Sequence, residues 1–238
     1  MHILLKKLTA LHDLSEDEQA ALIRALSPPR MLARGEDIAE DGSFPQHTTV
    51  IISGTACRYK KLEKGKRHIL AFQYPGDMTD LYSYVMKRMD HAIGALSPCT
   101  IVQIPHEKIA DLGLKYPNLQ YAFWRDTMVD SSIGYGWAAG HGRTTLAQVA
   151  HMFCEIFVRL EQVGKAELGK PLEFDATQQD LADAVGLSLV HVNKTVAQLK
   201  AKNLIGRVGT KVVIMNWEEL KKVASFDPAY LHFKNPFQ

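Results

Sequence analysis

The apolar positions of the chain repeat with helical spacing near both of its ends. Residues 15–26 read SEDEQAALIRAL, in which Ser15 and the Glu18 that follows three positions later form a capping box, so a short helix is predicted. Between Thr144 and Val163 apolar side chains recur every three or four residues, which predicts a longer amphipathic helix. The side chains expected on its buried face are Leu146, Val149, Ala150, Phe153, Phe157 and Leu160.

From Arg30 to about Pro105 the pattern changes to short apolar or alternating runs separated by glycines. The runs are TVIIS, CRYKKL, RHILAFQY and TIVQIP, and the glycines at positions 42, 54, 65 and 76 are spaced by about eleven residues. Regular turn residues between short strands predict an antiparallel β-barrel or β-sandwich. Within this region EKGKRH predicts the tip of a hairpin.

A single long helix is predicted from Pro117 to about Ala139. Proline is favoured in the first turn of a helix, where its missing amide hydrogen has no intrahelical partner to lose. Asp126 interrupts the apolar stripe, and the glycines at positions 134, 136 and 140 weaken the end of the helix by roughly 1 kcal/mol each relative to alanine. The heptad pattern of a dimer seam is therefore poor, and GHGR at 140–143 predicts a hinge.

Two short amphipathic runs follow in TQQDLADAVGLSLVHVNKTVAQLKAKNLI, residues 177–205. Thr177 is a helix cap with Asp180 three positions on, and Gly186 is suited to the left-handed conformation that ends a helix. Ser188 then caps the second helix. A small residue, Ala182, followed four positions later by glycine is the spacing of a helix-turn-helix. Its expected core consists of Leu181, Ala182, Val185, Val192, Val196 and Leu199.

A short hairpin is predicted directly after the second of these helices. The sequence continues with NLI, Gly206 and Gly209, then with KVVIM and Trp217. Two short β-runs separated by glycine are typical of a hairpin. A hairpin in this position makes the unit a winged helix.

The distribution of charge separates this segment from the rest of the chain. The formal net charge of all 238 residues is only +2, so the total says little about partners. From Gly186 to Asn216, however, there are five Lys or Arg residues and no Asp or Glu. A surface without carboxylates can approach a polyphosphate without repulsion, and its cations release counterions condensed on DNA. We therefore expect this surface to bind duplex DNA.

Outward side chains of the second helix are the candidates for base recognition in the major groove. Asn193 can pair with adenine, Lys194 can donate to guanine, and Val190 can contact a thymine methyl group. Ser188 and the edge formed by residues 177–179 are expected at phosphates, near helix N-termini. The full predicted DNA surface is Thr177, Gln178, Gln179, Ser188, Leu189, Val190, His191, Asn193, Lys194 and Lys211.

The alternative interpretation of these residues is an amphipathic helical hairpin with a solvated basic face. An isolated run of charges would favour that alternative. Here the caps, the glycine position, the apolar spacing and the hairpin coincide, and the coincidence favours DNA binding.

Composition indicates an ordinary folded protein. The chain is 46% hydrophobic and 23% charged, long enough for two modest domains. No apolar run approaches the roughly 18 residues of a membrane span, and the N-terminus is too charged for a signal peptide, so a cytoplasmic protein is expected. We find no nucleophile elbow, phosphate-binding glycine loop or acid pair, and we do not expect an enzyme.

The cysteines and histidines do not form a recognisable metal or redox motif. Cys57, Cys99 and Cys154 are widely separated and lie in apolar or strand-like surroundings, which predicts buried, inert thiols, although a redox switch is left open. Ten histidines are present, but none forms an HxxxH pair with a carboxylate, so no metal site is predicted.

The chain resembles the Crp/Fnr family of bacterial transcription regulators over nearly its whole length. The resemblance is carried by the glycine-punctuated β-region, the segments VIISG and FQYPGDM, and residues 177–205. The resemblance implies an α+β fold, with an N-terminal β jelly-roll sensor like a cyclic-nucleotide-binding domain, a long dimerisation helix and a C-terminal winged helix-turn-helix. It also implies a homodimer that binds a palindromic operator in double-stranded DNA and acts through RNA polymerase, with no membrane partner.

The resemblance is weakest at the effector site. Members that bind cyclic nucleotides begin their phosphate cassette with Gly-Glu and later carry Arg followed by Ser or Thr. Here residues 76–96 read GDMTDLYSYVMKRMDHAIGAL, with Asp90 where the phosphate-binding Arg is expected and His91 where the hydroxyl is expected. A carboxylate repels a phosphate, so we expect that cyclic AMP is not the effector. The candidate effector pocket is Gly76, Asp77, Met78, Arg88, Asp90 and His91, with Arg88 able to substitute if the register shifts by two.

Two further departures concern the cofactor and the DNA sequence. Members that sense oxygen through an iron–sulfur cluster use cysteines mostly near the N-terminus, where this chain has none, so we expect no such cluster. The Glu and Arg typical of the first turn of the recognition helix are replaced by Val190 and Leu189, so a different operator sequence is expected.

The sequence thus predicts a sensor domain at 1–116, a dimerisation helix and hinge at 117–143, a DNA-binding domain at 144–220 and a C-terminal extension at 221–238. The predicted function is sequence-specific regulation of transcription, by a population shift that sets the spacing of two recognition helices. The alternative is a cyclic-nucleotide sensor whose winged helix contacts protein. The C-terminal extension is expected to pack on its own domain or to be disordered.

Overall fold

The computed structural model describes residues 1–234, which form an α+β fold. Two short helices come first, α1 (Ile3–Leu11) and α2 (Glu16–Arg24). The predicted capping box of α2 is confirmed, because the Ser15 side chain accepts from the Glu18 amide while the Glu18 carboxylate accepts from the Ser15 amide. In α1 the leucines at positions 4, 8 and 11 are fully buried, so this helix is anchored to the body of the protein.

An antiparallel β-sandwich follows, confirming the prediction for this region. Its strands are β1 (Arg30–Leu32), β2 (Asp37–Ala39), β3 (His47–Ser53), β4 (Ala56–Lys61), β5 (Arg67–Gln73), β6 (Ala92–Ala95) and β7 (Cys99–Pro105). One sheet has the order β1-β7-β3 and the other β2-β6-β4-β5. Side chains of both sheets, including Ile51 and Ala95, share one buried cluster. A 3-10 turn, Glu63–Gly65, forms the predicted hairpin tip between β4 and β5.

Helices surround the sandwich and lead away from it. They are α3 (Ser83–Met86), α4 (His106–Lys115) and α5 (Pro117–Gly140). The predicted long helix is confirmed in α5, with Pro117 in its first turn. Phe123, near the start of α5, packs with α1 and α2, whereas Ile133, nearer its end, packs with the β4–β5 face of the sandwich. Helix α5 therefore runs from the N-terminal helices, along the β-sandwich, to Gly140, where the sequence predicts a hinge.

The C-terminal part is built around one central helix. Its elements are α6 (Thr145–Gln162), α7 (Gln178–Val185), α8 (Leu189–Ala201), β8 (Ile205–Val208), β9 (Lys211–Ile214) and α9 (Trp217–Ala224). Every residue of α6 from 149 to 160 is buried, because α8, α9 and the sensor cover it from different sides. The predicted amphipathic helix is therefore confirmed, and it is more completely buried than a single apolar face requires.

The C-terminal extension packs on α6, α5 and α1. A 3-10 turn, Pro228–Leu231, lies against α5, and the Tyr230 hydroxyl donates to Glu155 of α6 at 2.7 Å. The Lys234 amide donates to the Ala10 carbonyl of α1 at 2.9 Å. The expected packing of this segment is confirmed and reaches beyond its own domain, while residues 235–238 lie outside the described part of the chain. Over residues 1–234, no helix is both long and apolar enough to cross a bilayer.

Candidate DNA-binding surface and sensor contacts

Helices α7 and α8 are joined by the turn that the sequence predicts. The Thr177 hydroxyl accepts from the Asp180 amide at 3.1 Å, and the Asp180 carboxylate accepts from the Thr177 amide at 2.7 Å. Gly186 ends α7 with φ of 69°, in the left-handed region that favours glycine. Ser188 caps α8 by accepting from the His191 amide at 3.4 Å. These local bonds cap the start of each helix and end α7 at the turn between them.

Helix α8 buries one face and exposes the other. Val192, Val196 and Leu199 are 0–5% exposed and pack towards α6, as the spacing predicts. On the opposite face Val190 is 76% and Leu189 is 39% exposed. Among the other predicted base-contacting and phosphate-contacting side chains of this region, Ser188, His191, Asn193 and Lys194 are exposed as well. This face is free to meet a groove of DNA.

The hairpin β8–β9 extends the exposed basic surface. Val208 pairs with Lys211 around Gly209, whose φ is 59°, so the basic side chains of Arg207 and Lys211 lie next to the tip. Arg207 is exposed and Lys211 is half-buried. Within residues 1–234 no ion pair involves any of the five cations counted in the sequence, namely Lys194, Lys200, Lys202, Arg207 and Lys211. Their charges remain available to phosphates.

Residues 177–179, which the sequence predicts to contact phosphates, lie beside the β4–β5 hairpin of the sandwich. Thr177 and Gln179 are exposed, Gln178 is half-buried, and Gln179 donates to Asp183 at 2.7 Å. The hairpin tip of the sensor and the α7–α8 turn face each other across a cleft of about 670 Å³ that Gln179, Ser188 and Leu189 help to line. Phosphate contacts from this edge therefore compete for space with the sensor hairpin.

Two sensor arginines hold the N-terminal turn of α7. Arg67 of β5 donates to Asp180 at 2.5 Å and to Asp183 at 2.9 Å, and Arg34 donates to Asp180 at 3.3 Å. Burial of Asp180 opposes its charge, but the bonds from Thr177 and Arg67 outweigh burial and hold the pKa of Asp180 below its usual value. The sequence gives no signal for this clamp, because its partners are separated by more than a hundred residues.

The candidate effector cassette is divided between two environments. Gly76, Asp77 and Met78 are buried in a turn against α1 and α6, and a Cβ added to Gly76 would meet Lys7 at 3.1 Å. The Asp77 carboxylate accepts from Lys7 at 2.6 Å and from Arg159 at 2.7 Å. Asp77 is therefore engaged by other parts of the protein.

The second half of the cassette lies at the surface of the sandwich. The Asp90 carboxylate accepts from His91 at 2.6 Å and from the Tyr82 hydroxyl at 3.1 Å, and the His91 ring stacks on Tyr82 with centroids 5.4 Å apart. Arg88 is exposed, and its Nη2 lies 3.4 Å from the point that a Cβ added to Gly42 would occupy. Burial, together with the Arg58 charge, lowers the pKa of His91 despite the adjacent Asp90. A carboxylate and an imidazole whose pKa is lowered thus occupy the positions where the resemblance implies a phosphate-binding arginine and a hydroxyl.

Comparison with known proteins agrees with this architecture. Residues 29–116 match the family model of the cyclic nucleotide-binding domain, and residues 147–223 match that of the Crp-like helix-turn-helix domain. The nitrogen fixation regulation protein FixK of Azorhizobium caulinodans is 24% identical over 196 residues, which cover 82% of this chain and 78% of that protein.

The chain belongs to the Crp/Fnr family of transcription regulators. The fumarate and nitrate reduction regulatory protein of Vibrio cholerae is 22% identical over 89% of this chain and 84% of its own length. The solved structure of FixK2 from Bradyrhizobium japonicum has the same fold, with a TM-score of 0.75 at 20% identity over 84% of this chain and 98% of that one. This Crp/Fnr protein is accordingly a DNA-binding transcription regulator and not an enzyme.

A second ion pair inside this regulator was missed by sequence reasoning. Arg58 of β4 donates to Asp130 of α5 and also to the Thr79 carbonyl at 2.7 Å. Asp80, which is 1% exposed, accepts from the Thr49 amide at 2.7 Å. Burial raises the pKa of Asp80 to about 7. Arg58 therefore connects the cassette turn to α5, the helix that ends at Gly140 beside the predicted hinge.

The three cysteines are buried in three different elements, as predicted. Cys57 in β4, Cys99 in β7 and Cys154 in α6 are 0–1% exposed. Burial raises the pKa of the Cys57 thiol to about 12 and raises the pKa of the other two thiols as well. Since the thiolate is the reactive form, these thiols are inert at neutral pH. In the described range 1–234, no group of three or more His, Cys, Asp or Glu side chains is arranged to hold a metal ion.

Proposed function

We propose that this Crp/Fnr regulator binds a palindromic operator as a homodimer and acts on transcription by RNA polymerase, with α8 as the recognition helix. The observation that carries the proposal is the exposed face of α8, which continues into the β8–β9 wing and carries five cations without an ion pair among residues 1–234. Asn193 and Lys194 read base edges, Val190 contacts a thymine methyl group, and Lys211 contacts a phosphate.

The dimer forms through the exposed face of α5. Four large side chains, Tyr121, Trp124, Met128 and Tyr135, are 50–76% exposed at positions that repeat every three, four or seven residues. Such spacing places them on one stripe of a helix, and a contiguous apolar stripe on a soluble protein favours association with a second copy. Val85 and Met86 on α3, 67% and 68% exposed, extend the same apolar surface beside Trp124, since all three line one groove.

Regulation works through the position of α7 and α8 relative to the sensor. The Arg67 and Arg34 clamp docks α7 on the sandwich and leaves the recognition helix facing the hairpin tip. Release of the clamp lets the segment after the 140–143 hinge adopt the separation that two successive major grooves demand. Cyclic AMP is not the signal, because Asp90 and His91 stand where its phosphate would need an arginine and a hydroxyl.

The dimer is tested by sedimentation of W124E, which should convert the protein to monomers, because a charged group on the stripe would be buried without a partner. Leu114 of α4, 85% exposed and outside the α5 stripe, supplies the matched control L114E, which should remain dimeric. A monomeric wild-type protein would overturn the dimer.

Operator recognition is tested by selecting duplexes from a random library and measuring affinity over a salt series. We expect palindromes, and a steep fall of affinity with salt from phosphate contacts. Direct repeats or a flat salt response would contradict the proposal. Calorimetric titration with cyclic AMP should give no heat, and saturable binding would contradict the assignment of the cassette.

A further inference from the structure

A cavity of about 260 Å³ lies where the sensor meets the DNA-binding domain. Strand β5, the end of α5, the start of α6 and the end of α7 contribute its walls. It is separate from the cassette at 76–96, none of whose residues lines it. A void of this size corresponds to roughly nine water molecules at their share of liquid volume, enough for one small cyclic molecule.

Among the described residues 1–234, the side chains that line the cavity include one arginine, Arg143, and no carboxylate. Arg143, next to Gly142 in the predicted hinge, is half-buried, and its Nη1 donates to the Gly136 carbonyl at 3.5 Å. It belongs to no ion pair within residues 1–234. The imidazole of His68 on β5 and the amide of Gln148 on α6 add hydrogen-bonding groups to the lining. An anion with planar oxygens suits a guanidinium that has no carboxylate partner.

Most of the remaining wall is apolar, although His141 and His151 also line it. The Trp137 indole N–H donates to both Glu155 oxygens, at 3.2 and 3.1 Å, and the ring packs edge-on against Phe72 with centroids 5.7 Å apart. Met152 and Val185 close the apolar side. A ring fixed in this way offers a preformed surface for the flat face of another ring.

We infer that this junction cavity binds a monocyclic aromatic carboxylate as an effector, with its carboxylate on Arg143 and its ring against Trp137. The ligand touches the hinge and α7 together, because Arg143 and Val185 both line the cavity. Gln148 of α6, which lines it as well, donates to the Val185 carbonyl of α7 at 3.4 Å. Occupancy therefore sets the angle between α6, α7 and the sensor. That consequence rests on the proposed regulation by domain docking, whereas ligand binding itself does not.

The test measures ligand binding to the full-length protein by isothermal titration calorimetry. Benzoate and phenylacetate are the anionic probes, and benzylamine is the charge-reversed control. We expect saturable binding of an acid with Kd between about 10 µM and 1 mM, and no binding of benzylamine. R143M should weaken binding by at least about tenfold, and A138W, which fills the cavity from an exposed rim position, should abolish it.

Thermal unfolding of both variants establishes that they are folded. Absence of binding by either acid up to about 10 mM would overturn the inference, as would binding that R143M and A138W leave unchanged. DNA affinity is measured in parallel with and without the acid. If the acid binds but leaves DNA affinity unchanged, the proposed regulation is contradicted while the binding site stands. Failure of the binding site and failure of the regulation are therefore distinguishable.

Discussion

Arg159 of α6 donates to the Asp77 carboxylate at 2.7 Å, and the two side chains are 3% and 6% exposed. The same carboxylate receives Lys7 of α1 at 2.6 Å, and Arg159 also donates to Glu155 at 3.2 Å. Glu155 in turn accepts from Trp137 and from the Tyr230 hydroxyl. One buried network therefore joins the N-terminal helix, the sensor turn, α5, α6 and the C-terminal extension.

Removal of one partner from this network should be strongly destabilising. Burial opposes the charge on Asp77, but the Lys7 ammonium and the Arg159 guanidinium outweigh it and hold the pKa of Asp77 below its usual value. R159M leaves that carboxylate with a single cation and should lower the free energy of unfolding by about 3–5 kcal/mol in urea titrations. The exposed Arg24 supplies the control R24M, which should change it by less than about 1 kcal/mol.

Double variants distinguish a direct ion pair from a general packing effect. Because the carboxylate and the guanidinium contact each other, D77N and R159M together should cost less than the sum of the single losses, by about 1–3 kcal/mol. Strict additivity would contradict the direct pair.

Local signals explain why some of this fold could be predicted from the sequence. The caps at Thr177 and Ser188 and the left-handed Gly186 depend on residues three or four positions apart, and all three are confirmed. The partner of Asp77 lies 82 residues away. Sequence periodicity predicts which side chains are buried but not which residues they contact. The family resemblance therefore placed Asp77 in the effector pocket, whereas in the structure Asp77 pairs with Arg159. Asp126 was visible as a break in an apolar stripe, but its neighbour Lys7, at 3.7 Å, was not.

Loss of the sensor clamp should raise affinity for DNA. R67Q removes charge-assisted bonds to Asp180 and Asp183 that hold α7 on β5. Such bonds contribute about 1–3 kcal/mol, so the population of the released domain and the measured operator affinity should rise, by about fivefold to about 150-fold. Arg30 lies in the same sandwich and pairs with Glu36 at the surface, which makes R30Q the matched control with unchanged affinity. A lower affinity for R67Q would contradict docking as the inactive arrangement.

Two lysines should separate base recognition from phosphate contact. K194A should weaken binding to the selected operator by about 1–3 kcal/mol and affect random DNA much less, because the lost bond is to a base. K211A should weaken both DNAs about equally and reduce the salt slope by about 1. Fluorescence anisotropy over a salt series measures both effects, with the exposed Lys108 of α4 as the control K108A. Equal losses on both DNAs for K194A would refute its role in reading a base.

The buried carboxyl group of Asp80 should make the stability of the fold depend on pH. Burial raises its pKa in the folded protein to about 7, although the Thr49 amide and the Arg58 charge oppose that change, whereas the usual value is 3.8. Between these two values the folded state retains a proton that the unfolded chain releases. Stability from this group is therefore greatest at the acid end of the window and falls as pH rises towards 7.

D80N keeps the shape of the neutral acid and removes the titration. Relative to the wild type it should gain stability at pH 8, by as much as about 4 kcal/mol, and the advantage should shrink as pH is lowered to 5. His151, with its pKa lowered to about 4, and Asp126, with its pKa raised to about 6, titrate in the same range. Their contributions cancel when urea unfolding of D80N and wild type is compared at each pH. A difference that is the same at pH 5 and pH 8 would show that Asp80 does not change its protonation in this range.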